Sequence, residues 1–381
     1  MIYALYHSIF SFLLNAIGTV VKVDKKQALF VVYGGKRYDD SPRFIYEYIK
    51  KQPQYEKIKC VWAFIEPDKF DFIPENEKVK IDTIAYYKTV LQSKYWITNS
   101  SVKRGLDLKE KKHKDILLQH GMAGIKKLGI DIDPKNQSFR LRKPEKFDMI
   151  FIEGKKEKEI LAKAWQIEAE HFYETGLPRN DELYQVREEK VLTIKKSLKV
   201  PFDKKVILYA PTFREFYKDG SFDNIIQNPF DFEKMKKELE NDYVLVVTAH
   251  YQVGKLLGIP KDNSFIINAF DYPYINDLLM IADILISDYS SVVWDYSILE
   301  RPLLCFGYDY DRYVQERGTY LDLNQIFFNG VIKTQEQLIE VIRNMDFEKQ
   351  KEHTKQLKEQ YIVTKEKATE RVVKMIFEGE K

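Results

Sequence analysis

A chain of 381 residues is longer than one hydrophobic core usually encloses, roughly 250–300 residues, so two domains are expected. Its 61 basic and 58 acidic residues nearly cancel, which excludes a dedicated nucleic-acid binder, and 44% apolar with 31% charged residues excludes a disordered or fibrous chain. The two cysteines, Cys60 and Cys305, both sit in apolar strand-like runs, which excludes a disulfide framework or a cysteine zinc site and makes the cytoplasm the natural compartment.

The first stretch, "MIYALYHSIFSFLLNAIGTVVK", carries no charged side chain from residue 2 to residue 21, long enough in principle to cross a bilayer. His7, Ser8, Ser11, Asn15, Gly18 and Thr19 fall at helical spacing on one face, leaving Ile2, Leu5, Ile9, Phe10, Leu13, Ile17 and Val20 toward another. Residues 1–22 therefore read as an amphipathic helix, and without a basic n-region or a small-residue cleavage site it is expected to stay attached. It either lies in a membrane interface, with Lys22, Lys25 and Lys26 meeting anionic headgroups, or packs on the protein or a partner subunit.

Short apolar runs then alternate with charged helical stretches. "QALFVVYGG" (27–35), "KCVWAFI" (59–65), "VKIDTI" (79–84), "YWITNS" (95–100), "KDILLQHG" (114–121) and "FDMIFIEG" (147–154) form a first set of buried strands. "KKVILYAPTF" (204–213), "YVLVVTAH" (243–250), "SFIINAF" (264–270), "ADILISDYS" (282–290) and "PLLCFGYD" (302–309) form a second. The fold class expected is α/β, two doubly wound parallel sheets, with ligands beyond the carboxyl ends of the strands. We place the first domain at 23–185 and the second at 186–345, with the join in "VREEKVLTIKKSLKVPFDKK"; residues 346–381 read as helices able to pack back on the first domain.

The strand-end residues carry the chemistry. "QHGMAGIKKLG" sets His120 beside the flexible Gly121, followed by Lys126 and Lys127; an imidazole there suits general-base work, although a lone histidine is more often structural. Arg214 in "YAPTFRE" offers a planar donor fork for phosphate oxygens, or is simply a surface residue, and His250 ends "VVTAH" at the same edge. After "ILIS", Asp288, Ser290 and Ser291 lead into a helix expected near Trp294, whose N-terminal N–H groups and dipole favour an anion; ordinary capping is the plainer reading. Walker, GxGxxG, HExxH and GxSxG patterns are all missing from the sequence, so NTPase, dinucleotide oxidoreductase, zinc-protease and α/β-hydrolase readings lack their usual parts.

"LLQHGMAGIKKLG", "TGLPRNDEL", "ILYAPTFRE", "VVTAHYQ", "ISDYSSVVWDYSILERPLLCFGYDYDRY" and "RGTYLDL", spanning 114 to about 323, together resemble the CDP-glycerol glycerophosphotransferase family of teichoic acid synthesis. The resemblance implies a GT-B-like fold in which an acceptor-binding and a CDP-donor-binding Rossmann-like domain face a central cleft. It also implies a peripheral enzyme on the cytoplasmic face of the cell membrane, which passes glycerol phosphate from CDP-glycerol to an undecaprenyl-diphosphate-linked disaccharide and releases CMP. Carried onto this sequence, it makes His120 the base, with His250 as a second catalytic-edge imidazole. Arg214, His250, Ser290 and Ser291 would hold the donor diphosphate, Asp288 and Asp295 would anchor the turn or the donor hydroxyls, and Gly121, Lys126 and Lys127 would lie on the acceptor or lipid-diphosphate side. No cofactor is expected, in-line attack on the β-phosphorus needs no covalent enzyme intermediate, and no carboxylate cluster in the sequence demands a metal, so metal dependence stays open, as does assembly as a homo-oligomer. The short region before the first catalytic-looking strand points to a primase. A poly(glycerol phosphate), poly(ribitol phosphate) or capsule polymerase is the alternative, with a nucleotide-sugar transferase or a scaffold subunit behind it.

Overall fold

Unbroken runs of Val, Ile, Leu and Phe are stable as strands when both faces of the sheet are covered, which is the situation of an all-parallel sheet. The computed structural model of the chain, which describes residues 2–108, 111–133, 145–212, 229–248, 263–362 and 366–379, contains two such sheets. The first has seven strands, β1 (Asp24–Val31), β2 (Lys59–Phe64), β3 (Lys78–Lys80), β4 (Ser93–Thr98), β5 (Lys114–Leu118), β6 (Met149–Ile152) and β7 (Phe172–Glu174), in the order β3-β2-β1-β4-β5-β6-β7. The second has six, β8 (Lys205–Tyr209), β9 (Tyr243–Val247), β10 (Ile266–Asn268), β11 (Ile284–Ser287), β12 (Leu303–Phe306) and β13 (Val331–Ile332), in the order β10-β9-β8-β11-β12-β13.

Every pairing is parallel, with Ala28 opposite Tyr95, Ile116 opposite Met149 and Val206 opposite Val244. Both sheets are Rossmann-like, and strand order reverses between β1 and β4 and again between β8 and β11, which opens a crevice at each reversal. The expected α/β class holds. The edge strands β7 and β13 were not foreseen, being three and two residues long. The strand expected over 79–84 stops at Lys80, because Asp82 turns to φ 61° and the Thr83 hydroxyl caps the next helix by accepting from the Tyr86 N–H.

The helices that matter here are α1 (Ile2–Val20), α2 (Asp40–Lys51), α3 (Ile84–Gln92), α4 (Lys155–Trp165), α5 (Glu188–Ser197), α6 (Phe232–Leu239), α7 (Ile275–Ile281), α8 (Val292–Ser297), and, near the end of the chain, α9 (Phe347–Tyr361) and α10 (Ala368–Phe377). The core of the second sheet takes in residues from Leu183 onward, and α9 packs on α8 through Trp294 and Tyr361, ring centroids 4.6 Å apart. The chain then crosses back: Val372, Val373 and Ile376 of α10 are buried with Ile45, Ile49 and Trp62 of the first domain. Both Asp181 carboxylate oxygens accept backbone N–H groups, from Ala368 and Thr369 at 2.8 Å, and so fix the start of α10.

Helix α1 is amphipathic, but its polar seam is the one that faces protein. Ser11 and Leu14 are buried, the Ser11 hydroxyl accepts from the Asp107 N–H at 3.0 Å, and the Asn15 amide donates to the Asp107 carbonyl at 2.7 Å. Lys112 closes the C-terminus by donating to the carbonyls of Gly18 and Thr19, both at 3.0 Å. Phe10, expected on the apolar face, instead meets Tyr87 edge-on at 5.0 Å. Ile9, Phe12, Leu13, Ile17 and Val20 are left exposed, Phe12 at 72% and Val20 at 83%. Among the described residues no helix is long and apolar enough to cross a membrane.

Candidate active site in the cleft between the domains

On the first-domain side, β5 runs out at Leu118 and delivers His120 and Gly121 to the carboxyl edge. The His120 ring lies edge-on to Tyr33, centroids 6.2 Å apart. Its ring opens onto the cleft and is reached by solvent, yet protein crowds it on most sides. That crowding pushes its pKa below the ordinary 6.5; the Arg179 and Lys126 cations push the same way, while Asp40 opposes them. The product is an imidazole that is neutral near pH 7 and so able to take a proton.

Asp40 organises the floor beneath it. At φ 60° it opens α2, and its carboxylate accepts from the Tyr33 hydroxyl at 3.0 Å, the Asn99 amide at 2.8 Å and the Ser41 N–H at 2.7 Å. Tyr33 follows β1 and Asn99 follows β4, so this cluster occupies the crevice where the first sheet reverses.

On the second-domain side, β11 ends at Ser287 and the turn follows at once. Asp288 is buried and accepts the N–H groups of Thr212 (2.9 Å) and Tyr289 (2.6 Å), tying the ends of β8 and β11 together. Tyr289 turns inward, stacks on Tyr313 at 3.7 Å and donates to Asp309 at 2.8 Å. Ser290 and Ser291 are half-buried at the start of α8, which begins at Val292 rather than near Trp294. The Ser290 hydroxyl accepts from the Val292 N–H at 3.3 Å, while among the described residues that of Ser291 makes no capping hydrogen bond.

The two sides meet directly. A Cβ placed on Gly121 would lie 2.3 Å from the Ser291 Oγ, and one on Gly124 would touch Trp294. Met122 and Ile125 reach into the second core, the Ile125 carbonyl accepts from the Tyr320 N–H at 2.8 Å, the Lys127 N–H donates to the Gly318 carbonyl at 3.1 Å, and Lys126 bridges to Thr319. "QHGMAGIKKLG" and "RGTYLDL", remote in sequence, thus pair backbone to backbone across the cleft.

His120, Gly121, Ser290 and Ser291 come together, and Lys126 and Lys127 lie on the adjoining segment, with the Lys127 stem packed over Gly318. Asp288 and Asp295 are both buried and hydrogen-bonded to protein: Asp295 pairs with Arg179 and accepts the Asn180 amide at 3.0 Å. Arg214 and His250 lie outside the described residues.

Sequence reasoning missed Asp40, Asn99, Tyr33 and Arg179, all within the cluster. It also missed Glu157 of α4, a fully buried carboxyl that accepts the N–H groups of Ala123 (2.7 Å) and Glu153 (2.8 Å) behind the His120 loop. Burial pushes the Glu157 pKa up to about 8. The signal for Arg179 was present, a lone cation in the apolar, turn-forming "TGLPRN".

Over residues 13–378 the chain matches the family described as CDP-Glycerol:Poly(glycerophosphate) glycerophosphotransferase. It is 31% identical over 371 residues to the teichoic acid poly(glycerol phosphate) polymerase of Bacillus spizizenii, covering 93% of this chain and 92% of that one. With the teichoic acid poly(glycerol phosphate) polymerase of Staphylococcus epidermidis it shares 32% identity over 338 residues, 85% of this chain but 46% of the relative, so it spans about half the length of that protein. Among solved structures, the wall teichoic acid polymerase TagF, as a histidine-to-asparagine variant soaked with CDPG, superposes with a TM-score of 0.84 at 27% identity, covering 99% of this chain and 96% of that one.

Proposed function

From the premise that the chain belongs to the CDP-glycerol:poly(glycerophosphate) glycerophosphotransferase family, we propose that it transfers glycerol phosphate from CDP-glycerol to a hydroxyl of an undecaprenyl-diphosphate-linked acceptor in wall teichoic acid synthesis. The observation that carries this reading is the placement of Gly121, the residue after His120 in one domain, against Ser291 of the other. A base and an anion-favouring turn on opposite walls of a cleft are what phosphoryl transfer between two bound substrates needs. The soak of TagF with CDPG supports the donor.

In the proposed step a His120 ring nitrogen takes the proton of the acceptor hydroxyl, whose oxygen bonds to the phosphorus that carries the glycerol. The bond from that phosphorus to the bridging oxygen breaks, and the oxygen leaves with CMP. Ser290, Ser291 and the N–H groups that open α8 hold the diphosphate, with Arg214 and His250 completing its cradle, and Lys126 adds positive charge nearby.

Chain length had pointed to a primase. The B. spizizenii polymerase is matched over 92% of its own length, so a polymerase of this size exists and both readings stand. The outward apolar face of α1, with the exposed Lys22, Lys25 and Lys26 at its end, supports a seat in the cytoplasmic membrane interface, beside the lipid-linked acceptor.

The test supplies the purified protein with CDP-glycerol or CDP-ribitol and a short-chain lipid-linked disaccharide, and weighs the products. Growth by one glycerol phosphate identifies a primase and a ladder identifies a polymerase. Growth with CDP-ribitol alone reassigns the donor, and no growth with either donor overturns the reading.

A further inference from the structure

"TGLPRNDEL" has no part in the reaction written above, yet its arginine touches both domains. Arg179 sits in the 3-10 turn Pro178–Leu183 of the first domain. Its backbone N–H donates to the Ser41 hydroxyl of the same domain at 3.4 Å, and its carbonyl accepts the Asn276 amide from α7 of the second domain at 2.7 Å. Its guanidinium is buried between two carboxylates: Nη2 hydrogen-bonds Asp295 of the second domain, and Nε lies 3.9 Å from the Asp40 Oδ1 of the first. Burial works against the charge, but Asp295 and Asp40 more than offset it and hold the group above its ordinary pKa.

We propose that Arg179 is the positioning residue that sets the two walls of the cleft in register, holding His120 opposite Ser290 and Ser291. The inference rests on the reading of that cleft as the site of transfer. On one side Arg179 acts through Asp40, whose carboxylate binds the Tyr33 hydroxyl and the Asn99 amide, and the Tyr33 ring meets that of His120 edge-on. On the other it acts through Asp295, which lies one helical turn after Ser291 in α8, so holding the aspartate holds the turn. Between the two, the Arg179 Nη2 is 3.4 Å from where a Gly121 Cβ would be, so the guanidinium backs the contact of Gly121 with Ser291.

The test compares Arg179→Met and Arg179→Lys with the wild type by two readouts. Spin labels on Gln54→Cys in the first domain and Lys237→Cys in the second, both exposed positions in a chain whose own cysteines are buried, report the distance between domains. A narrow distribution in the wild type is expected to broaden in Arg179→Met and less so in Arg179→Lys. In CMP release from CDP-glycerol, kcat should fall by on the order of 10²-fold in Arg179→Met while KM for CDP-glycerol changes far less. The acid limb of kcat/KM should move to higher pH, because one of the charges facing His120 is removed and Asp40 and Lys126 remain. An unchanged distance distribution in a folded Arg179→Met protein, or wild-type kcat in Arg179→Lys, overturns the proposal. If Arg179→Met does not fold, the lysine variant decides. A wild type that releases no CMP refutes the proposed reaction, and the distance measurement then judges Arg179 by itself.

Discussion

Gly121 and Ser291, 170 positions apart in sequence and on different domains, lie so close that a Cβ on the glycine would come within 2.3 Å of the serine Oγ. The contact joins the histidine loop to the turn that starts α8, and it requires a residue without a side chain at φ 149°.

Gly121→Ala is therefore expected to damage transfer more than folding. The strained backbone costs about 1–3 kcal/mol, and displacing His120 or Ser291 by a fraction of an ångström should lower kcat on the order of 10²-fold. Thermal unfolding together with CMP release checks this, and a folded variant with wild-type kcat contradicts it.

The acid limb of kcat/KM should lie below the ordinary imidazole value of 6.5, with activity falling as pH drops through it, because burial disfavours the charged form of His120. Asp40→Asn removes an anion that supports the imidazolium and should move the limb to lower pH; Lys126→Met removes a cation and should move it to higher pH. A pH–rate series on the three proteins reads both signs.

Glu157 should make folding stability pH-dependent in an unusual direction. Its pKa is raised from 4.5 to about 8 by burial, so the folded chain keeps a proton that the unfolded chain has lost. That contribution is full below pH 4.5, declines as pH rises and is gone above about 8. Glu157→Gln should flatten the decline, at a cost of about 1–2 kcal/mol in acid for one backbone hydrogen bond lost. Denaturant unfolding at pH 5 and pH 8 measures both effects.

Phe12→Glu with Leu13→Glu should abolish flotation with anionic vesicles while leaving the unfolding midpoint almost unchanged, since both side chains are at least half exposed. Undiminished vesicle binding would rule out the outward face of α1 as the membrane seat.

Much of this architecture was legible because burial on both faces writes a strand as a continuous apolar run. "KKVILYAPTF" and "ADILISDYS" announced β8 and β11 and put their tips where the second sheet reverses. His120 was legible as an imidazole beside glycine at a strand end. Arg179 and Asp295 were not, because a pairing across 116 positions leaves no local periodicity and a buried charge is named only by its partners. Helix α1 showed its amphipathicity but not which face docks, since that depended on the Asp107 backbone offering partners to Ser11 and Asn15. The strands β7 and β13 are too short to carry a pattern.

The most direct measurement is CMP release from CDP-glycerol in the presence of the lipid-linked acceptor, by the wild type and by His120→Ala in parallel, with the wild-type products weighed. Acceptor-dependent release that adds glycerol phosphate, reduced by about 10²–10⁴-fold in the variant, is the result expected of a general base. Equal release by the two proteins, or release that adds nothing to the acceptor, would contradict the assignment of this cleft.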